Sequence, residues 1–296
     1  MSRGHGQLSG SAAGQNLVIS AIAFDFFCRL FNLLPLKISG FLGRRLGDLI
    51  YILGIRKKTA KKNMQRASGI DFSPRLLRNC YRHFGQVAVE FMLLKSRQGE
   101  LSKHHKIEGR EYLERAFSRG NGVIIYTAHL GNWEWLGGVL AELGYPVTAI
   151  ARTQKNAALN SRINNLRRRQ GVRLVDRKKG VRESIRVLKN GELLIIIGDQ
   201  HASSGLPLKF MGRKASVHRG AVHMASRYGV PVLPVYSHRK DFASYTLDIK
   251  PEVDIPRELE EVQEKKWLKD LVKTTEIAIK DNPEQWMWMH RRWKLD

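Results

Sequence analysis

Two uninterrupted apolar runs, Val123-Ile124-Ile125-Tyr126 and Leu193-Leu194-Ile195-Ile196-Ile197, constrain this chain more than any other feature of it. A strand with one face in water alternates apolar and polar residues. A strand without that alternation needs cover on both faces, as inside a parallel sheet flanked by helices. Tyr145 to Ile150 and Val172 to Asp176 read as further strands, and Gly180 to Lys189 as a helix stopped by Asn190-Gly191, so the order is strand, helix, strand. Ser73-Pro74 opens a helical pattern that runs to Arg97. A helix from about Val217 to Tyr228, a strand from Val230 to Tyr236 and an amphipathic helix from Glu258 to Lys280 complete the reading. The expected fold is α/β, with a mixed, mostly parallel central sheet flanked by helices.

The 296 residues contain no repeat and no linker-like stretch in the middle, which points to one large α/β domain over 63–296. A Gly- and Ser-rich terminus, 1–15, is expected to be flexible. The segment 16–62 is expected to form amphipathic, membrane-associating helices. Leu17 to Leu36 has the length of a membrane span, yet Asp25 and Arg29 stand near its middle, where charge is costly. Four residues apart, they share a helix face and can pair. A second apolar stretch, Ile38 to Ile55, is interrupted by Arg44, Arg45 and Asp48 and followed by Arg56-Lys57-Lys58. The reading is an interfacial anchor whose lysines and arginines meet lipid phosphates; a pair of ordinary core helices is the alternative. No small-residue cleavage site follows a basic start in the order a signal peptide requires.

Lys and Arg number 51 against 27 Asp and Glu, a net charge of +24. A field of that size calls for an anionic partner: nucleic acid, anionic membrane lipids or an acidic protein. Zinc-ligand spacing, RNP-like aromatic motifs and tandem basic helices are all missing from the sequence, which argues against nucleic acid. Cys28 and Cys80 are the only cysteines and stand in no nucleophile or metal motif, so both read as packing residues in a reducing compartment.

Chemistry-bearing residues gather where the apolar runs end. His129-Leu130-Gly131-Asn132-Trp133-Glu134 follows the first run, at the carboxyl edge where open α/β sheets bind ligands. Five residues are about 140° apart around a helix. His129 and Glu134 therefore meet only if His129 stays in the turn and Glu134 enters the next helix. Glu134 would then fix the imidazole tautomer and leave the other nitrogen to take a proton. A surface histidine followed by an ordinary N-terminal helix glutamate is the plainer reading of the bare spacing. Gly198-Asp199-Gln200-His201 ends the second run, and Arg152 ends the strand that begins at Tyr145.

With Arg152-Thr153-Gln154-Lys155-Asn156, Gly198-Asp199-Gln200, Phe210-Met211-Gly212-Arg213-Lys214-Ala215 and the tail from Asn282 to Lys294, the His129 to Glu134 box makes the chain resemble the lipid A biosynthesis (late) acyltransferase family, part of the lysophospholipid-acyltransferase-like superfamily. The resemblance spans about Phe24 to Lys294. It implies transfer of a fatty acyl chain from acyl carrier protein, or acyl-CoA, to a hydroxyl of a lipid A precursor, at the cytoplasmic face of the bacterial inner membrane. It implies His129 and Glu134 as the catalytic pair and Arg152, Asn156, Arg213 and Lys214 as oxyanion or phosphate contacts. It further implies Asn132, Asp199 and Gln200 as part of the active-site region. The tail tryptophans Trp286, Trp288 and Trp293 suit either the membrane interface or the cap of a core.

No serine or cysteine occupies a nucleophile elbow, so direct transfer is expected, with His129 as general base. No cofactor and no metal is expected, because a thioester is already an activated acyl donor. The partners expected are anionic membrane lipids, acyl carrier protein and a glycolipid acceptor. Other readings are a different glycolipid or lysophospholipid acceptor, a non-catalytic basic membrane-surface or nucleic-acid-binding protein, and a metal-dependent hydrolase using His129, Glu134, Asp199 and His201.

Overall fold

The computed structural model describes residues 9–94, 96–151, 153–154, 156–176 and 180–295, with side chains from residue 19 onward except that of Glu261. In chain order come α1 (Ser9–Leu33), α2 (Leu36–Ile52), α3 (Lys57–Arg66), α4 (Pro74–Leu93), β1 (His105–Glu108), α5 (Arg110–Phe117), β2 (Val123–Thr127), α6 (Trp133–Glu142), β3 (Val147–Ala151) and α7 (Ala157–Arg169). Then follow β4 (Val172–Asp176), α8 (Gly180–Lys189), β5 (Leu193–Ile197), β6 (Leu206–Phe210), β7 (Arg213–Val217), α9 (Gly220–Tyr228), β8 (Val232–Asp241), β9 (Ser244–Ile249) and α10 (Glu261–Asp281).

Seven strands form one sheet in the order β1-β9-β8-β2-β5-β3-β4. The pairs β2–β8, β2–β5, β5–β3 and β3–β4 are parallel; β9 returns antiparallel to β8 and carries β1 parallel to itself. The sheet is therefore mixed and mostly parallel, as the apolar runs require. All five residues of β2 are buried. Side chains alternate across the pleat, so Ile124 and Tyr126 join the core containing α4, α9 and α10, while Val123 and Ile125 join the core containing α6. The helices that follow the neighbours β2 and β5 thus pack on opposite faces, the arrangement that opens a ligand crevice at the strands' carboxyl ends.

Phe210 to Ala215 spans the end of β6, a two-residue turn and the start of β7 in an antiparallel hairpin, with Met211 and Gly212 both at positive φ. Two consecutive left-handed residues match the twist of a two-residue hairpin. The sequence also hid β1, a four-residue edge strand, and β9, which lies between β1 and β8.

Helix α1 begins at Ser9, inside the stretch expected to be irregular, and residues 1–8 lie outside the described set. Among the described residues no helix is long and apolar enough to cross a membrane. Asp25 does not pair with Arg29 as the helical spacing suggested; it reaches Arg162 of α7 at 2.6 Å. Helix α2 lays its Gly43 and Gly47 against α4. A Cβ on Gly47 would stand 2.2 Å from the Tyr81 carbonyl oxygen, and one on Gly85 would stand 2.1 Å from that of Gly43. On the same face Asp48 receives Arg78 at 2.7 Å and Arg82 at 2.8 Å. The Arg82 hydrogen bond leads the forces that hold the Asp48 carboxyl down to about 2, against the opposing effect of burial. The other faces of the two helices leave Ile19, Ile22, Phe26, Ile38, Phe41 and Ile52 exposed. The tail tryptophans cap the core: Trp286 and Trp288 are buried edge to face, 4.6 Å between centroids, and Trp293 is half-buried beside them.

The glycine contact makes a sharp prediction. Gly47→Leu drives a side chain into the α4 backbone, and chemical denaturation is expected to show a loss of about 1–3 kcal/mol or more.

Candidate active site

Parallel pairing brings two distant residues together. The β2–β5 register sets Thr127 against Ile197, and two residues further along each strand stand His129 and Asp199. The imidazole Nδ1 lies 2.8 Å from Asp199 Oδ1, the His129 backbone N–H donates to Oδ2 at 2.9 Å, and the Trp286 indole N–H donates to the same oxygen at 2.7 Å. The His129 side chain is 16% exposed and that of Asp199 2%, so the imidazole is partly open while the carboxylate is sealed. Burial pushes the Asp199 carboxyl up; the neighbouring imidazole and these hydrogen bonds outweigh it and hold the group below its ordinary value.

The Gln200 side-chain N–H lies 3.2 Å from His129 Nε2. An amide donor there and a carboxylate at Nδ1 assign the tautomer with the proton on Nδ1 and the lone pair on Nε2. The Trp133 ring packs edge-on against the imidazole at 4.9 Å.

Glu134 is not the partner of His129. Asn132 caps α6 by accepting from the Trp135 N–H at 3.1 Å, which makes Glu134 the second helical residue, turned about 100° from Trp133. That rotation aims it at α7, where Arg167 binds it bidentately at 2.8 and 2.6 Å. The carboxylate beside the imidazole is that of Asp199, not that of Glu134 as expected. Asn132, placed in the active-site region, is wholly buried and serves the turn; Asn156 caps α7 and donates to Ser20 of α1 at 2.6 Å. Asn156 so links α7 to α1. Lys214 is exposed on the hairpin, and Arg213 lines a basic cleft with Lys62, Arg66, Arg291 and Lys294. Arg152 and the basic run 177–179 lie outside the described residues.

The turn itself is held by residues that the sequence reading missed. Gly131 has φ +58°, and a Cβ there would fall 1.8 Å from the Ser237 carbonyl oxygen, so only glycine fits. Its own carbonyl faces His83 Nε2 at 3.1 Å. Behind it, the fully buried Glu90 carboxylate accepts from Asn132 at 3.0 Å, from the Ala243 backbone at 2.8 Å, from the Arg239 guanidinium and from the Tyr245 hydroxyl. A lone carboxylate in Val87-Ala88-Val89-Glu90-Phe91-Met92-Leu93 was the available signal. On the other side, His290 Nε2 accepts the His201 backbone N–H at 3.2 Å. Arg292 is fully buried over Phe210, 4.7 Å from its centroid.

Burial holds three histidines neutral: His290 and His105 at about 4, and His83 well below its ordinary value, where the Arg239 charge adds to burial. Each group has a folded pKa below its unfolded one. The unfolded chain therefore binds more protons at mildly acid pH. Their contribution is complete above about pH 6.5 and is lost as pH falls toward 4. Urea unfolding at pH 7.5 and pH 5 is expected to show a lower midpoint at pH 5, with a smaller drop in His290→Gln.

Residues 17–295 match the family of bacterial lipid A biosynthesis acyltransferases. The chain is 27% identical over 271 residues to the lipid A biosynthesis palmitoleoyltransferase of Escherichia coli strain K12, covering 88% of this chain and 86% of that one. It is 21% identical over 278 residues to the lipid A biosynthesis acyltransferase of Haemophilus influenzae, covering 89% and 84%. It is 24% identical over 135 residues to the phosphatidylinositol mannoside acyltransferase of Mycobacterium tuberculosis strain H37Rv, covering 44% and 43%.

Proposed function

The chain belongs to the bacterial lipid A biosynthesis acyltransferase family and is an acyltransferase, and from that premise we propose that it moves a fatty acyl group from a thioester to a hydroxyl of a lipid A-type acceptor with His129 as general base and Asp199 as its orienting carboxylate. The observation that carries this reading is the hydrogen-bonded pair at the carboxyl ends of β2 and β5, with Asp199 on Nδ1 of a partly exposed imidazole and Nε2 facing Gln200. In the proposed step Nε2 takes the acceptor's hydroxyl proton as that oxygen attacks the thioester carbonyl carbon. Collapse of the tetrahedral intermediate breaks the carbon–sulfur bond. The departing thiolate recovers the proton from the imidazolium, leaving an ester and a free thiol. Asp199 stays ionised throughout and stabilises the transient imidazolium, and Gln200 swings off Nε2 to admit the hydroxyl. The oxyanion is met by the amides at the start of α6 or by Arg152.

The donor is acyl carrier protein or acyl-CoA, and no cofactor takes part. The chain works on the cytoplasmic face of the inner membrane, held there by the exposed apolar faces of α1 and α2 and by the cationic surface. What supports that placement is the exposure of Phe26, Phe41 and Ile52 beside Arg44, Arg45 and the lysines of α3.

Two measurements test the reading. In a thioester-dependent assay with a lipid A precursor, His129→Ala is expected to lose at least 10³-fold in kcat, and Asp199→Asn about 10²–10⁴-fold, by analogy with the size of general-base and tautomer effects. Glu134→Gln is expected to lose less than Asp199→Asn, with lowered stability; the reverse ranking returns the orienting role to Glu134. Binding to anionic vesicles is expected to weaken as salt rises, since surface charge is screened within about 8–10 Å at physiological ionic strength. Salt-independent binding would assign the attachment to the apolar faces alone.

A further inference from the structure

The tail that covers Asp199 also brings a second imidazole, that of His290, to the site. Its backbone is held on both sides: the Met287 N–H donates to the His129 carbonyl at 3.1 Å, and the Asn63 amide donates to the His290 carbonyl at 2.8 Å. The ring is held as well. His290 Nε2 accepts the His201 backbone N–H at 3.2 Å, and the residue before His201 is Gln200, whose amide faces His129 Nε2 at 3.2 Å. The two imidazoles therefore rest on neighbouring residues of one loop, and Asp199 and His129 are both close enough to act electrostatically on the His290 ring.

The hydrogen bond to His201 fixes the tautomer. A backbone N–H can only donate, so Nε2 holds a lone pair, and in a neutral ring the proton then sits on Nδ1. Burial keeps the ring neutral. Among the described residues none accepts from Nδ1. Nor is that nitrogen one of the buried polar atoms left without a partner, as Nδ1 of His201 is, so the His290 donor opens to accessible space. Holding the Gly198–His201 loop needs Nε2 alone. The other side of the ring carries an oriented donor that the fold does not use.

We infer that His290 is a further catalytic residue, whose Nδ1–H donates to the thioester carbonyl oxygen as that oxygen gains charge in the tetrahedral intermediate. The inference rests on the proposed function and adds a side-chain donor to the amides of α6 and Arg152. No proton changes hands in this interaction. The hydrogen bond strengthens as the acceptor's oxygen adds to the carbonyl carbon, and weakens when the carbon–sulfur bond breaks and the carbonyl re-forms. A neutral imidazole suits the task, because it supplies a donor without setting a second cation beside His129 and does not compete with His129 for the acceptor's proton.

Two substitutions separate the halves of the ring. In His290→Gln the amide oxygen reaches the ε position and keeps the bond from His201, but no N–H stands at δ. In His290→Asn an N–H stands at δ and the His201 bond is lost. Transfer from an acyl thioester to a lipid A precursor is measured with full-length, detergent-solubilised protein, beside urea unfolding of each variant. His290→Gln is expected to lose about 10²–10³-fold in kcat with KM little changed. His290→Asn is expected to unfold at lower urea than His290→Gln and yet to keep more of the kcat. A kcat for His290→Gln within about threefold of wild type, or a loss in His290→Asn as large as that in His290→Gln, leaves His290 a scaffold residue and overturns the inference while the proposed function stands. Absence of transfer by wild type with both acyl carrier protein and CoA thioesters overturns the proposed function, and the role of His290 with it.

Discussion

The Asp199 carboxylate is the point on which the rest of the site depends. A buried carboxylate without partners costs several kcal/mol, and this one is answered by three donors from two places in the chain: the His129 backbone and ring, and the Trp286 indole. Satisfying it locks the ends of β2 and β5 to each other and the tail to both. The imidazole orientation follows from that lock, because the carboxylate takes Nδ1 and leaves Nε2 to the open side. Glu90 does the same work one layer back. Its four partner residues, Asn132, Arg239, Ala243 and Tyr245, come from the turn after β2 and from the β8–β9 hairpin. The turn carrying His129 is thereby clamped between two buried acids.

This use of acids bears on the net charge of +24. Glu90, Asp48, Asp199 and Glu264 are buried, each facing arginine or histidine. Carboxylates placed inside in this way hold helices and turns together, each offsetting the cation that it faces. The exposed lysines and arginines are left in excess, on α3, on the far end of α7 and in the tail. The cationic surface and the acid-centred interior are two results of one distribution of charge.

How far the sequence disclosed this depended on the range of the interaction. Continuous apolar runs report burial on both faces, so β2, β5 and the parallel character of the sheet were legible from composition within five residues. The carboxyl-edge position of His129, Asp199 and Gln200 followed from the same runs. Which acid meets His129 was not legible. Glu134 is near in sequence, while Asp199 is near only through a strand pairing 70 residues apart, and one-dimensional spacing favours the wrong one. Helix phase decides it: with Asn132 as cap, Glu134 points to α7. The edge strand β1 has only four residues, and β9, one place in from it, is buried at four of its six without clean alternation, which hid the antiparallel part of the sheet. The charged members of the tail resisted reading for another reason. Arg292 looks like a solvated surface residue beside Arg291, yet it is fully buried and donates to the Ser216 carbonyl at 2.5 Å. Nothing in the local sequence separates the two.

That tail explains why a chain with so many surface charges ends in so apolar a segment. Leu130 forms an isolated antiparallel bridge with Trp286, the Met287 N–H donates to the His129 carbonyl at 3.1 Å, and the Gly131 N–H donates to that of Gln285 at 3.0 Å. The backbone on either side of His129 is thus paired by the tail, as it would be by one more strand. Gly131 makes the pairing possible, since its left-handed backbone lets the turn pass against the β8 carbonyl of Ser237 where no side chain fits. Backbone groups left unpaired at such a buried edge would cost about 1–3 kcal/mol each, and water admitted to pair them would also reach the carboxylate. The tail removes both costs together. It completes the hydrogen bonding of the turn, covers Asp199 with an indole ring, and only then turns outward to line the cleft with Arg291 and Lys294. The order of residues along those few positions, aromatic first and cationic last, is the order in which the chain passes from the sealed side of the dyad to the charged surface.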